Sequence, residues 1–161
     1  MSRLDLFVDR ITAQRDILNL IAAQSLLPDG GAILEIGLGN GRTYSHLLEA
    51  FSGRRVIVFD RAVASHGTST PPAADLILGE ISQTATTYAK ADAAMVHADI
   101  GTGYADKDAG VQTWLPQLCV DLLMQGGVAV SGLQLVHPRL KPLDMPSGIG
   151  RNLYFAYRKQ G

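Results

Sequence analysis

Ile33-Leu34-Glu35-Ile36-Gly37-Leu38-Gly39-Asn40-Gly41-Arg42 decides how the rest of the chain is read. An apolar run ends at three glycines, and the polar, helix-permissive run Arg42-Thr43-Tyr44-Ser45-His46-Leu47-Leu48 follows at once. A buried strand, a tight turn and a helix in that order form the front end of a nucleotide-binding α/β unit. Glycine permits the sharp turn and a close approach of backbone to ligand. The helix behind it presents unpaired N–H groups at its N-terminus.

The spacing narrows the ligand. Gly37, Gly39 and Gly41 give G-x-G-x-G, whereas the dinucleotide fingerprint needs its third glycine where Arg42 stands. A pyrophosphate clamp is therefore disfavoured. Glu35, two places before the first glycine, offers nothing to a pyrophosphate and suits a ligand carrying an ammonium and a sulfonium.

Outward from this loop, strands and helices alternate. A helix spans about residues 2–24, with Leu4, Phe7, Val8, Ile11, Leu18, Ile21 and Ala22 recurring at three- and four-residue steps. Ser2 and Asp5 sketch a capping box, and Pro28-Asp29-Gly30-Gly31 turns the chain. Strands are expected at 32–36, 55–60, 76–78, 93–99, 128–133 and 153–158. Helices are expected at 41–51, 82–91 and 106–125, the last ended by Gly126-Gly127. Three threonines weaken the helix at 82–91. Pro116 must lie in a first turn or kink its helix. The crossover 61–74 leaves room only for a helical turn and a loop, and 136–150 reads as a proline-punctuated loop without a clear strand. The alternation implies one α/β domain with a parallel sheet, the core running from residue 32 to 161 behind an N-terminal helix at 1–27.

In such sheets ligands bind beyond the carboxyl ends of the strands. Asp60, Glu80 and Asp99 all fall there. Asp60 can accept hydrogen bonds from two adjacent ribose hydroxyls, and Arg61 beside it offers a face to adenine or points to water. Glu80 and Ile81 fit an adenine-edge contact or a helix N-cap equally. Asp99 is placed to bind cofactor, hold an acceptor or take a proton. Of the histidines, His97 reads as a core residue and His46 and His66 as surface residues. His137, after the fifth strand, is a candidate base.

The totals exclude several classes. In 161 residues, 47% are apolar, 18% are charged and the formal charge is −1. That composition describes one folded domain with no electrostatic reason to bind nucleic acid. A single cysteine, Cys119, gives no internal disulfide. No apolar run reaches the length of a membrane span, and the start of the chain carries no signal-peptide pattern, so a cytoplasmic setting is expected.

Glu35-Ile36-Gly37-Leu38-Gly39-Asn40-Gly41 resembles the first motif, E/D-x-G-x-G-x-G, of the class I S-adenosylmethionine-dependent methyltransferases. Asp60 resembles that family's ribose-binding acid. Glu80-Ile81 and Asp99 fall where its adenine-side and fourth motifs lie, and Leu122-Leu123-Met124-Gln125-Gly126-Gly127 is similar to the approach to its fifth strand. The resemblance implies a three-layer Rossmann-like fold, a mostly parallel seven-stranded sheet with an antiparallel C-terminal strand. It implies S-adenosyl-L-methionine as cofactor, held by Glu35, Gly37, Leu38, Gly39, Asn40, Gly41, Asp60, Arg61, Glu80, Ile81 and Asp99. Asp99 is followed by Ile-Gly-Thr-Gly rather than by Pro-Pro-Tyr, which departs from the branches that methylate DNA bases and glutamine. The expectation is methyl transfer to a small-molecule acceptor, in a homo-oligomer because the chain lacks a dedicated lid. A non-catalytic cofactor-binding subunit is the second reading, and a nicotinamide-dependent oxidoreductase the third.

Overall fold

A computed structural model of the chain describes residues 1–150 and 152–161. Its centre is a seven-stranded sheet in the order β3-β2-β1-β4-β5-β7-β6. The strands are β1 (Ile33–Ile36), β2 (Val56–Asp60), β3 (Leu76–Leu78), β4 (Ala93–Ala98), β5 (Leu123–Ser131), β6 (Leu140–Pro142) and β7 (Phe155–Lys159). β1 to β5 pair in parallel; β7 runs antiparallel to β5 and to β6. Every residue of β1 and β4 is buried, because layers cover both faces and a neighbouring strand flanks each edge.

Alternation along the strands sorts the core into two layers. Ile33, Val56, Val58, Met95, Val128 and Val130 face α1 (Arg3–Ala23) and α2 (Arg42–Ala50), meeting Ile17, Leu18, Ile21 and Leu47. Leu34, Ile36, Phe59, Val96 and Ala129 face the other way, toward α5 (Leu115–Leu122) and Ile81 of the short α3 (Ile81–Thr84). Cys119 lies in that second layer, fully buried, and burial pushes its thiol up to about 12.

Four elements differ from the sequence expectation. The helix expected over 106–125 is two, α4 (Ala105–Gln112) and α5. The break falls at Trp114, and Pro116 sits in the first turn of α5, where its missing N–H costs nothing. Gly126 and Gly127 lie inside β5 rather than at a helix end. The register jumps there, Ala93 facing Leu123 and Met95 facing Val128. Gly126, at φ +76°, takes the left-handed turn of that bulge, and Arg158 anchors its carbonyl at 2.8 Å. The helix at 82–91 shrinks to α3 and a 3₁₀ turn at Ala85–Tyr88. There the hydroxyls of Thr84, Thr86 and Thr87 bond to nearby carbonyls and compete with the helix ladder. The sixth strand, not evident in the proline-punctuated stretch, is the three-residue β6, and Pro142 is tolerated because the strand is an edge.

α1 begins with the expected capping box: the Ser2 hydroxyl accepts from Asp5 N–H at 3.1 Å, and the Asp5 carboxylate accepts from Ser2 N–H at 2.8 Å. Only its second half is buried. Leu4, Phe7, Val8 and Ile11 remain exposed on its first half. Among the described residues no helix is long and apolar enough to cross a membrane.

Candidate functional site

The glycine loop leaves β1 at the carboxyl edge of the sheet. Gly37, Gly39 and Gly41 adopt φ values of +95°, +51° and +81°, the left-handed region that side chains disfavour. At Gly37 a Cβ would lie 2.6 Å from Ile100 Cγ2, because the loop rests on the chain leaving β4. At Gly41 it would meet the Ser69 carbonyl and lie 2.8 Å from Ser69 Cβ. Gly41 is the N-cap of α2 and supplies no side chain; the Asn40 carboxamide oxygen accepts from Arg42 N–H at 3.1 Å instead.

Asp60 closes the loop from β2. Its Oδ2 accepts from Leu38 N–H at 2.7 Å and Gly39 N–H at 3.1 Å, and its Oδ1 from Arg61 N–H at 2.6 Å. The acid read as a ribose contact thus also shapes the glycine turn. Glu35 is sealed from solvent, and neither carboxyl oxygen has a hydrogen-bond partner. Burial, reinforced by the charges of Asp99 and Asp60, raises its pKa well above the ordinary carboxyl range. A direct ligand contact, as expected from the sequence, would require the loop to move. An orphaned buried carboxyl with two acids nearby fits a cationic ligand and repels an anionic one.

Register places His97 beside Glu35, on the sheet face under α1. His97 Nδ1 is 3.8 Å from Glu35 Oε1 and otherwise unpartnered. Its Nε2 lies 2.9 Å from Tyr154 Oη and 3.1 Å from Gln14 Nε2, and the two rings stack. Gln14 Nε2 also reaches Tyr154 Oη at 3.0 Å, Thr43 Oγ1 at 3.1 Å and Asp99 Oδ2 at 3.3 Å. Two amide protons cannot serve four acceptors in full. A consistent assignment has Tyr154 donating to His97 Nε2, Gln14 donating to Tyr154 Oη, and the second amide proton shared by Thr43 and Asp99. His97 then carries its proton on Nδ1, toward Glu35. Burial, opposed by Asp99 and aided by Arg10, lowers the His97 pKa to about 4, so the ring is neutral at pH 7.

Asp99 ends this chain of contacts. Its Oδ1 pairs with Arg10 Nη1 at 2.9 Å. A cavity of about 340 Å³ opens beside it, between α1 and the start of α2, lined by Arg10, Gln14, Asn40, Arg42, Thr43 and Phe7 among others. Arg10, Gln14, Thr43 and Tyr154 were not singled out from the sequence. For Gln14 a signal existed: it interrupts the apolar stripe Ile11, Leu18, Ile21 at helical spacing.

The remaining candidates sit apart. Arg61 and Glu80 are exposed near the ends of β2 and β3, and Glu80 is the N-cap of α3 without a side-chain bond to it. Ile81 packs into the layer beneath the sheet. His137 is not brought to Asp99. Its Nε2 lies 3.0 Å from Gln117 Oε1 of α5, on the opposite face from α1, and its Nδ1 accepts from Arg139 N–H at 3.1 Å. It lines a separate hollow of about 650 Å³ with Leu140 and Pro142.

Over residues 1–159 the chain matches a family described as S-adenosyl-L-methionine methyltransferase. It is 41% identical to the crystallised S-adenosyl-L-methionine methyl transferase of Silicibacter pomeroyi DSS-3, with a TM-score of 0.88 over 99% of both chains. The 1,6-didemethyltoxoflavin-N1-methyltransferase of Burkholderia thailandensis, crystallised with 1,6-didemethyltoxoflavin and S-adenosylhomocysteine, is 17% identical at a TM-score of 0.57, covering 92% of this chain and 79% of that one. An rRNA methylase of Streptococcus thermophilus is 15% identical at 0.55, covering 90% and 96%. These last two share the fold alone. No curated relative matches the chain. Glycine loop, strand-end acids, sheet order and family match agree, and the chain belongs to the S-adenosyl-L-methionine methyltransferase family.

Proposed function

We propose that this S-adenosyl-L-methionine-dependent methyltransferase acts on a small-molecule acceptor bound in the cavity beside Asp99. The observation that carries the proposal is the size and place of that cavity: about 340 Å³, next to the glycine loop, within the range of small-ligand sites. In this reading the backbone of Gly37, Leu38, Gly39, Asn40 and Gly41 and the carboxylate of Asp60 hold the cofactor's adenosyl part. Arg61, Glu80 and Ile81 border the adenine, and Glu35 contributes negative field under the sulfonium. The cofactor supplies a methyl group on an already electrophilic carbon. The protein's share is to align the two partners and to exclude water. α1 supports both tasks, because Arg10 and Gln14 hold Asp99 in place and Phe7 and Ile11 wall the cavity. A base is needed only for an acceptor that must lose a proton, and Asp99 is the acid nearest that role.

Labelled methyl transfer from the cofactor, run in parallel on metabolite and RNA panels, tests the reading. Transfer to small molecules supports it; transfer to RNA alone refutes it. We also infer a homo-oligomer in which a second copy covers Leu4, Phe7, Val8 and Ile11, an exposed apolar stripe at helical spacing that continues into the cavity wall. Sedimentation of a fully active monomer would exclude it.

A further inference from the structure

The cavity beside Asp99 is charged unevenly. Three guanidiniums line it: Arg10 and Arg15 from α1, and Arg42 from the first turn of α2. His46 shares that wall, with Nε2 2.9 Å from Asn19 Oδ1. Asp99 is the one carboxylate among the described lining residues. Arg10 is paired with Asp99 and Arg15 with Asp16, each at 2.9 Å. Arg42 is exposed and makes no ion pair among the described residues. Behind Asp99 the polarity reverses, since Glu35 and Asp60 lie on the strand side.

The cavity lining is thus basic, while the acids Glu35 and Asp60 lie outside it, beside the glycine loop. That acidic side suits the positive donor. The wall would repel a second cation and attract an anion, and Coulomb attraction strengthens as bound partners displace water. A planar guanidinium pairs with a carboxylate or phosphate through two parallel N–H bonds. Resting on the small-molecule reading above, we propose that the acceptor carries a carboxylate or phosphate group, held by Arg42 with Arg15, while its nucleophilic atom faces Asp99.

The cofactor's own aminoacyl carboxylate has the same chemistry, so the experiment separates the two sources. Protein labelled with ¹⁵N-arginine is saturated with S-adenosylhomocysteine. Inorganic phosphate and oxalate are then titrated at constant ionic strength, with neutral oxamide as control. The expected result is a saturable shift of the Arg42 side-chain resonance by both anions and none by oxamide. The affinity should fall at least tenfold in Arg42→Gln and stay unchanged in Lys141→Gln, a substitution on the far edge strand. The titration is repeated with 5′-methylthioadenosine, which lacks the aminoacyl group. Binding with methylthioadenosine present but blocked by S-adenosylhomocysteine means that the cavity serves the cofactor's carboxylate, and the proposal falls. A non-saturable response also overturns it. In turnover assays, carboxylic acids should accept methyl where their matched amides do not; equal turnover of both overturns the proposal as well. Calorimetry of S-adenosylhomocysteine on the same sample stands apart: no binding there would sink the site reading itself.

Discussion

Gly41→Ala tests how tightly the glycine loop is built. Gly41 and Gly39 lie two residues apart, and both hold positive φ, +81° and +51°. Their surroundings differ. Around Gly39 a new Cβ meets nothing within 4 Å; at Gly41 it runs into the Ser69 carbonyl and lies 2.8 Å from Ser69 Cβ and 3.0 Å from Ser65 Cβ. The 65–69 turn cannot retreat freely. His66 N–H donates to the Asn40 carbonyl at 3.3 Å, and the Ser65 and Thr70 hydroxyls bond at 2.8 Å. Alanine at either position costs about 1 kcal/mol for the left-handed backbone. Only Gly41→Ala adds an overpacking cost, about 2 kcal/mol. For a chain of this size that becomes a fall in Tm of roughly 3 °C for Gly39→Ala and roughly 9 °C for Gly41→Ala. Thermal unfolding followed by circular dichroism reads both. S-adenosylhomocysteine affinity should fall further in Gly41→Ala, because the start of α2 must shift with the turn. Equal drops in Tm for the two variants would refute the argument from packing.

Other outcomes follow from the same contacts. Asp60→Ala leaves the Leu38 and Gly39 N–H groups without their acceptor and should cost about 2 kcal/mol in urea unfolding; S-adenosylhomocysteine affinity unchanged in this variant would remove Asp60 from the ribose site. Because burial raises the Glu35 pKa well above the ordinary carboxyl range in the free protein, a cationic cofactor that favours its ionised form should bind with proton release wherever this carboxyl titrates. Affinity should then rise with pH by up to about tenfold per unit, a slope that Glu35→Gln flattens in calorimetry across buffers. His97, with its folded pKa near 4 against 6.5, contributes roughly 3 kcal/mol of stability. That contribution is complete above pH 6.5 and lost as pH falls toward 4. The raised Glu35 pKa works in the opposite sense, its contribution complete below about pH 4.5 and lost as pH rises. The two slopes oppose each other as pH rises from 4.5, so His97→Gln, which removes the rising one, should lose stability with rising pH more steeply than the wild type in urea unfolding.

What was legible in the sequence was local. The strand, glycine turn and start of α2 lie within about twenty residues, and each residue type reports its own backbone requirement. Asp60 could be placed because strand ends in a parallel sheet share one edge. The polar chain from Arg10 to Tyr154 was not legible, since its hydrogen bonds join residues 89 and 140 positions apart and no short spacing encodes them. Glu35 illustrates a different limit. Its position was readable, but its sealing depends on α1, β4 and the loop packing together. β5 was read too short because paired glycines at its start look like a helix exit, whereas here they form a bulge.

The single cysteine gives the molecule a native reporter of its own opening. Cys119 is fully buried between α5 and the sheet, and burial suppresses its thiolate, the form that alkylating reagents attack. Its labelling rate measures how often the layer between helix and sheet separates, rather than surface chemistry. Cofactor or acceptor binding becomes visible as a slower rate at this one sulfur where the opening that exposes it also disrupts the binding site, with no engineered probe.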